Sequence, residues 1–189
     1  MSTLLVVCTA NICRSPVAEA ALGRALSGTG ITVRSAGTRA VPAAPASPET
    51  AALLRERFGQ EQEHRAHVLT ASLAASADLV LTMTVPQRGQ VIALEPRTVR
   101  RVFTLRELAR ILPRLPEAAP AGEEPGLRSL AQRCARLRAA EPLPVSALDI
   151  EDPYGGTPAA YRMAFAQILE ASGIIGAGLA ARLRGREPA

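Results

Sequence analysis

Two apolar runs constrain the fold of this 189-residue chain more than anything else in it. Thr3–Val7 is continuous, apolar and β-branched, and "ADLVLTM" (Ala77–Met83) has the same character. Neither alternates polar with apolar residues, so each predicts a strand covered on both faces. Helical stretches lie between and beyond them. Pro16–Leu26 carries an apolar stripe, Pro48–Phe58 ends at Gly59, and Val85–Leu94 reads as a short helix. Thr32–Ser35 and Arg101–Phe103 supply two more short strands, and Thr104–Leu112 a further helix. Strands alternating with helices imply βαβ units and an α/β fold, a doubly wound four-stranded parallel sheet with helices on both faces. Ligands of such sheets bind beyond the carboxyl ends of the strands, and Cys8 stands at that end of the first.

The remainder of the chain narrows the class. Hydrophobic residues make up 48% of it, but aromatics only 3%, so the core must be built from Leu, Val, Ile and Ala. The net charge is +5, and every one of the 22 basic residues is arginine. These arginines are scattered and not interleaved with aromatics, which argues against a nucleic-acid partner, while a basic surface favours anionic substrates. Three cysteines, two of them close together, argue against a disulfide framework and for reduced, cytoplasmic thiol chemistry. Met1 leads straight into a strand with no signal-peptide pattern, and no stretch long enough to span a bilayer, hence no membrane insertion, is expected. "PRLPEAAPAGEEPG" (Pro113–Gly126) reads as a linker, Leu127–Ala140 as an Arg-rich helix, and Ala159–Leu183 as a helical region broken near Gly173. A single domain covering 1–189 is expected.

Cys8 and Arg14 frame a C-x5-R spacing within "CTANICRSP". The spacing alone is a modest signal; its setting strengthens it. A strand precedes the loop, and Ser15-Pro16 opens a helix, with Ser15 suited to the N-cap and Pro16 to the first helical position. A short loop in that place can turn its N–H groups inward, and the helix N-terminus adds about half a positive charge. Arg14 adds a planar fork for two oxygens of a tetrahedral anion. The same field stabilises a thiolate at Cys8, and Ser15 can donate a hydrogen bond to it. Asn11 tolerates a left-handed backbone and can pin the loop through its amide. A buried structural cysteine is the reading for an isolated Cys and Arg, but not for this whole stretch. The nucleotide-binding pattern G-x4-G-K-[ST] is absent.

A thiolate beneath a phosphate needs an acid for the leaving group. "DIEDPYGG" offers Asp149, Glu151 and Asp152 in a polar loop, Asp149–Thr157. Pro153 biases Asp152 toward an extended backbone, Tyr154 offers an aromatic wall for a flat substrate, and Gly155-Gly156 let the loop pass close to a ligand. A solvated turn capping the last helix is the competing reading of these residues.

"VCTANICRSPVAEA" and "EDPYGG" resemble the nucleophile loop and general-acid loop of the low-molecular-weight protein tyrosine phosphatases. "SAGT" (Ser35–Thr38), "HRA" (His64–Ala66) and "ADLVLTM" follow in that family's order. The resemblance implies the phosphotyrosine phosphatase I-like fold and a cytoplasmic hydrolase of phosphotyrosine, with no cofactor and no metal. It implies Cys8 as the nucleophile that becomes phosphocysteine, with Arg14 and the backbone of Thr9, Ala10, Asn11, Ile12, Cys13 and Arg14 holding phosphate. Asp152 is implied as the acid, then the base that activates water. Asn11, Ser15, Ser35 and His64 match a supporting hydrogen-bond network, and Cys13 matches a redox partner of Cys8. His67 and Cys134 match nothing. The implied partner is a tyrosine-phosphorylated protein, of the kind of a bacterial tyrosine kinase or an exopolysaccharide-regulating protein. Residues 113–143 form a longer stretch than the family has, which implies an insertion.

The chain departs from the family at Ala10, where glycine is usual, at Thr84, where an acidic residue is common, and after Gly37, where an aromatic usually lines the cleft. Arsenate reductases share the scaffold but need downstream cysteines, and here only Cys134 follows Cys13. Phosphoarginine phosphatases tend to carry Thr at the position of Ile12, and an apolar Ile12 suits an aromatic ring better. A non-catalytic phosphoprotein-binding module predicts loss of Cys8, Arg14 or Asp152, and all three are present.

Overall fold

A computed structural model describes residues 2–60, 63–117, 120, 122, 126–141 and 144–183. Four parallel strands form one sheet: β1 (Ser2–Cys8), β2 (Ile31–Gly37), β3 (Leu79–Thr82) and β4 (Val102–Thr104), in the order β2-β1-β3-β4. Around it, in chain order, run α1 (Arg14–Ala25), α2 (Pro48–Phe58), α3 (Ala71–Ser76), α4 (Val85–Leu94), α5 (Leu105–Ile111), α6 (Leu127–Ala140) and α7 (Pro158–Leu183). The strand order reverses at β1, so a crevice opens where β1 and β3 end, and Cys8 is the last residue of β1.

The unbroken apolar character of β1 has a direct cause. Leu4 and Val6 point into a core shared with α1, α5, α6 and α7, while Leu5 and Val7 point into a second core with Ala74 of α3 and Val91 of α4. Successive side chains of a strand take opposite faces, and here both faces are dry. Arg138 fastens α6 to the sheet edge: its guanidinium lies 4.6 Å from the centre of the Phe103 ring and donates to the Val102 and Val99 carbonyls.

Several expectations change. Helix α1 begins at Arg14, two residues before Pro16, and its N-cap is Cys13 with no side-chain cap bond, so Ser15 is not the cap. Helix α3, capped by the Thr70 hydroxyl, was not expected. A 3-10 turn, Leu112–Arg114, takes the last residue of the expected helix and the first two of the expected linker or exposed loop, and residues 118, 119, 121, 123–125, 142 and 143 of the expected insertion lie outside the described residues. Helix α7 runs unbroken through Gly173, because that residue faces open space. Contrary to the expectation, α7 is also long and apolar enough to cross a bilayer by length and composition, with a mean hydropathy of 1.4 over its best 18 residues. Half of that window is buried inside the protein, where α7 packs on α1 and α5.

Two glycines of α7 give a test of this packing. A Cβ at Gly176 would stand 2.4 Å from the Cβ of Ala25, whereas one at Gly173 meets nothing within 4 Å. Gly173→Ala should therefore stabilise the protein by about 0.5–1 kcal/mol through helix propensity. Gly176→Ala should destabilise it by a net 1–2 kcal/mol or so, because overpacking outweighs that gain. Urea unfolding of the two variants checks the opposite signs.

Candidate active site

The segment from Cys8 to Arg14 turns from β1 into α1 around its own sulfur. The Cys8 Sγ is buried, accepts from the Asn11 N–H at 3.2 Å and lies 3.0 Å from the Ser15 Oγ. Asn11 makes the turn by adopting a left-handed backbone, φ 57°. Its side-chain amide has a fixed orientation, because Oδ1 accepts from the His67 N–H at 2.8 Å. The Nδ2 group therefore gives its two protons to Ser15 Oγ and Ser35 Oγ, both at 2.8 Å. Each hydroxyl is left with its own proton to donate outward. Ser35 directs its proton to Glu19 Oε2 at 2.6 Å, and Ser15 directs its proton to Cys8 Sγ. The network thus aims a hydroxyl proton at the sulfur, which suits a thiolate.

Two further contacts hold the loop from outside. The Gln87 Nε2 donates to Thr9 Oγ1 at 3.0 Å, while its Oε1 accepts from the N–H groups of Met83 and Thr84. Behind the loop, the N–H groups of Thr38 and Arg39 donate to the Cys8 and Thr9 carbonyls. This close passage explains the glycine of "SAGT": a Cβ on Gly37 would lie 2.6 Å from the Thr9 oxygen.

His64 donates from Nε2 to the Asn11 carbonyl at 2.7 Å, since a carbonyl can only accept. Burial lowers its pKa below the usual 6.5, an effect the bond to Asn11 partly opposes. Burial also pushes the Cys13 thiol up, against the Ser47 and Thr50 hydroxyls. Cys134, buried in α6, is pushed up to about 12 by burial and lies apart from the site. The cysteines Cys8, Cys13 and Cys134 are all free thiols.

Arg14 joins the loop to a segment 138 residues away in sequence. Its side chain is only 3% exposed. Nη1 donates to the Ile150 carbonyl at 2.9 Å and Nη2 to Asp152 Oδ2 at 2.5 Å, while the buried Nε has no partner among the described residues. Asp152 itself is half exposed, and its other oxygen accepts from the Tyr154 N–H. Asp149 and Glu151 part company with it. Asp149 caps the start of α4 through the Val85 N–H at 2.7 Å, and Glu151 is exposed. The Tyr154 side chain is exposed beside Asp152. The Asn11 N–H, the start of α1, the Arg14 guanidinium and the Asp152 carboxyl are the groups this loop offers to a tetrahedral anion.

The family model for low molecular weight phosphotyrosine protein phosphatases matches residues 3–112. The chain belongs to that family. It is a phosphatase-family hydrolase, and two curated relatives carry names with different substrates. "Probable low molecular weight protein-tyrosine-phosphatase EpsP" of Ralstonia solanacearum is 42% identical over 108 residues, covering 57% of this chain and 73% of the relative. "Protein-arginine-phosphatase" of Bacillus subtilis (strain 168) is 43% identical over 108 residues, covering 55% and 70%. Among solved structures, the YwlE arginine phosphatase from Geobacillus stearothermophilus overlays all of both chains with a TM-score of 0.72 at 26% identity.

Within this phosphatase, the residues singled out in the sequence (Cys8 to Ser15, Ser35, His64 and Asp152) come together at one end of the sheet. Sequence reasoning missed Glu19, Gln87, Asp149 as a cap and the backbone N–H of His67. Only Gln87 left a readable signal, the capping box Thr84-Val85-Pro86-Gln87.

Two outcomes follow. Gly37→Ala should push the loop off Thr9 and lower kcat/KM on an aryl phosphate at least about tenfold, with a fall in Tm; steady-state kinetics and thermal melts check it. The second concerns His64, whose folded pKa lies below its unfolded value, so the unfolded chain binds more protons between the two. Its contribution to stability is then fully present above about pH 6.5 and lost as pH falls through the folded value. Urea unfolding from pH 5 to 7.5 should show a shallower pH dependence in His64→Gln than in the parent.

Proposed function

We propose that the chain hydrolyses phosphotyrosine in proteins through a phosphocysteine on Cys8. The observation that carries the reading is that Cys8 and Arg14 bound one short loop while the buried Arg14 side chain bonds the half-exposed carboxyl of Asp152 from a segment 138 residues away. The amides from Thr9 to Arg14 and the Arg14 fork bind the phosphoryl oxygens and stabilise their charge in the transition state. An incoming phosphate competes with Asp152 for Nη2 and frees the carboxyl to face the leaving oxygen. The Cys8 thiolate attacks phosphorus: the S–P bond forms as the P–O bond to tyrosine breaks, and Asp152 protonates the departing oxygen. Asp152, now ionised, takes a proton from water as that water attacks phosphorus. The S–P bond breaks, and phosphate and the thiolate are released.

Ile12 supports an aromatic substrate, because it is an apolar residue of the loop that is only partly buried against the core. Phosphoarginine is the second reading, favoured by the arginine phosphatase relatives. Tyr154 is the proposed substrate wall. Cys13 is the proposed redox partner of Cys8; its raised pKa keeps it protonated and out of competition for phosphorus. The proposal extends to a cytoplasmic location, to residues 113–143 as an insertion in a single domain, and to a tyrosine-phosphorylated protein as partner, such as a bacterial tyrosine kinase or exopolysaccharide-regulating protein.

Cys8→Ser should abolish phosphate release from a phosphotyrosine peptide while leaving the fold intact by circular dichroism; retained turnover removes the mechanism. Asp152→Ala should lower kcat about 10²–10⁴-fold on phosphotyrosine and far less on p-nitrophenyl phosphate, whose leaving group needs no proton. Equal losses would take Asp152 out of the acid role. Turnover of phosphotyrosine and phosphoarginine peptides side by side decides the substrate, and a higher kcat/KM on phosphoarginine overturns the first reading.

A further inference from the structure

A second concentration of positive charge lies at the other end of the sheet. Arg101 immediately precedes β4, and Asp78 immediately precedes β3, so this region sits at the amino ends of the strands, away from Cys8. A cleft of about 290 Å³ opens there, lined by Arg97, Arg100, Arg101 and Arg128 with Ala75 and Gln132, and, among the described residues, by no carboxylate. Arg101 is 94% buried, as its relative exposure is 6%. Nη1 and Nη2 donate to the carbonyls of Ala77 and Ala75, and Nε has no partner among the described residues. Arg97 is paired with Glu95 and Arg128 with Asp78, each at about 3 Å, and both carboxylates stand outside the lining. Arg100 is exposed and forms no ion pair among the described residues. Among the described residues, four guanidinium charges against two carboxylates leave two positive charges in excess around one cleft. Burial and the neighbouring Arg128 both lower the pKa of Arg101, as like charges in a partly dry site must.

We propose that this cleft is a second anion site, separate from the catalytic loop, for a small molecule carrying two or more linked phosphate groups. The excess of two charges asks for a multiply charged ligand. Arg100, unpaired among the described residues, offers a whole guanidinium fork to phosphoryl oxygens, and the Arg128 N–H groups not used on Asp78 add donors beside it. The cleft volume accommodates a short phosphate chain but not a folded protein surface. The phosphate source, a nucleotide or an inorganic polyphosphate, is left to the test. The site does not depend on the proposed reaction at Cys8, so each can fail without the other.

Inorganic tripolyphosphate and ATP, titrated separately into the 15N-labelled full chain, test it. Saturable shifts in the amides of residues 97–101 and 126–132 are expected with tripolyphosphate, and with ATP as well if a nucleotide is accommodated. Arg100→Glu and Arg128→Glu should each weaken that binding about tenfold or more. Arg162→Glu, an exposed site on α7 with the same change in net charge, should leave it within about twofold. Shifts confined to residues 8–15 would overturn the proposal, as would equal weakening by all three substitutions. Arg100 is exposed, so its variant carries the test even if Arg128→Glu fails to fold.

Discussion

Asn11 uses every polar atom it has. Its N–H reaches the Cys8 sulfur, its carbonyl accepts from His64, its Oδ1 accepts from the His67 N–H, and its Nδ2 bridges Ser15 and Ser35. A left-handed backbone costs a non-glycine residue about 1–2 kcal/mol. Five hydrogen bonds at a net 0.5–1.5 kcal/mol each more than offset that strain. Because the amide is pinned from outside the loop, the direction of the two hydroxyl protons beyond it is also fixed. The sulfur therefore meets a donor and not an acceptor, and the turn around it is held by side chains from outside the loop.

Arg14 imposes the second dependence. A guanidinium only 3% exposed is costly without partners, and two of its nitrogens are satisfied by the segment holding Ile150 and Asp152. The Cys8–Arg14 loop and the segment holding Ile150 and Asp152 thus require each other. That loop is in turn held by Asp149 at the start of α4, by Ile150 on the Met83 carbonyl, and by Arg106 on the Asp149 carbonyl. Helix α4 also carries Gln87, which reaches back to Thr9. One strand end, one helix start and one distant loop are closed into a ring of contacts around Cys8 and Arg14.

The elements that were legible from residues alone are those with local punctuation. Helix α2 has Ser47 before Pro48 and a left-handed Gly59 after Phe58, and its limits are where the residues predict them. Helix α4 has the Thr84 capping box and a proline in its first turn, and its limits also agree. Helix α1 was misplaced by two residues because its start is set by the loop geometry, and the Ser15 hydroxyl serves the sulfur instead of a cap. Helix α3, six residues long, is too short for an apolar period to register. Gly173 looked like a break, but a glycine facing open space on a helix packed along its other side costs too little to end it.

The sequence by itself determined the class of fold and the ingredients of the site. Doubly buried strands need helices on both faces, and a cysteine at the end of the first such strand, with Arg14 six residues on, has few other uses. Only the tertiary structure decided which of three neighbouring carboxylates bonds to Arg14, that Glu19 and Gln87 join its loop's network, and that Arg128 of α6 shares one cleft with Arg97, Arg100 and Arg101 at the opposite end. The reason is distance along the chain. Strand and cap signals act between residues a few positions apart, whereas these groups meet only after parallel strands have brought together segments tens of residues or more apart.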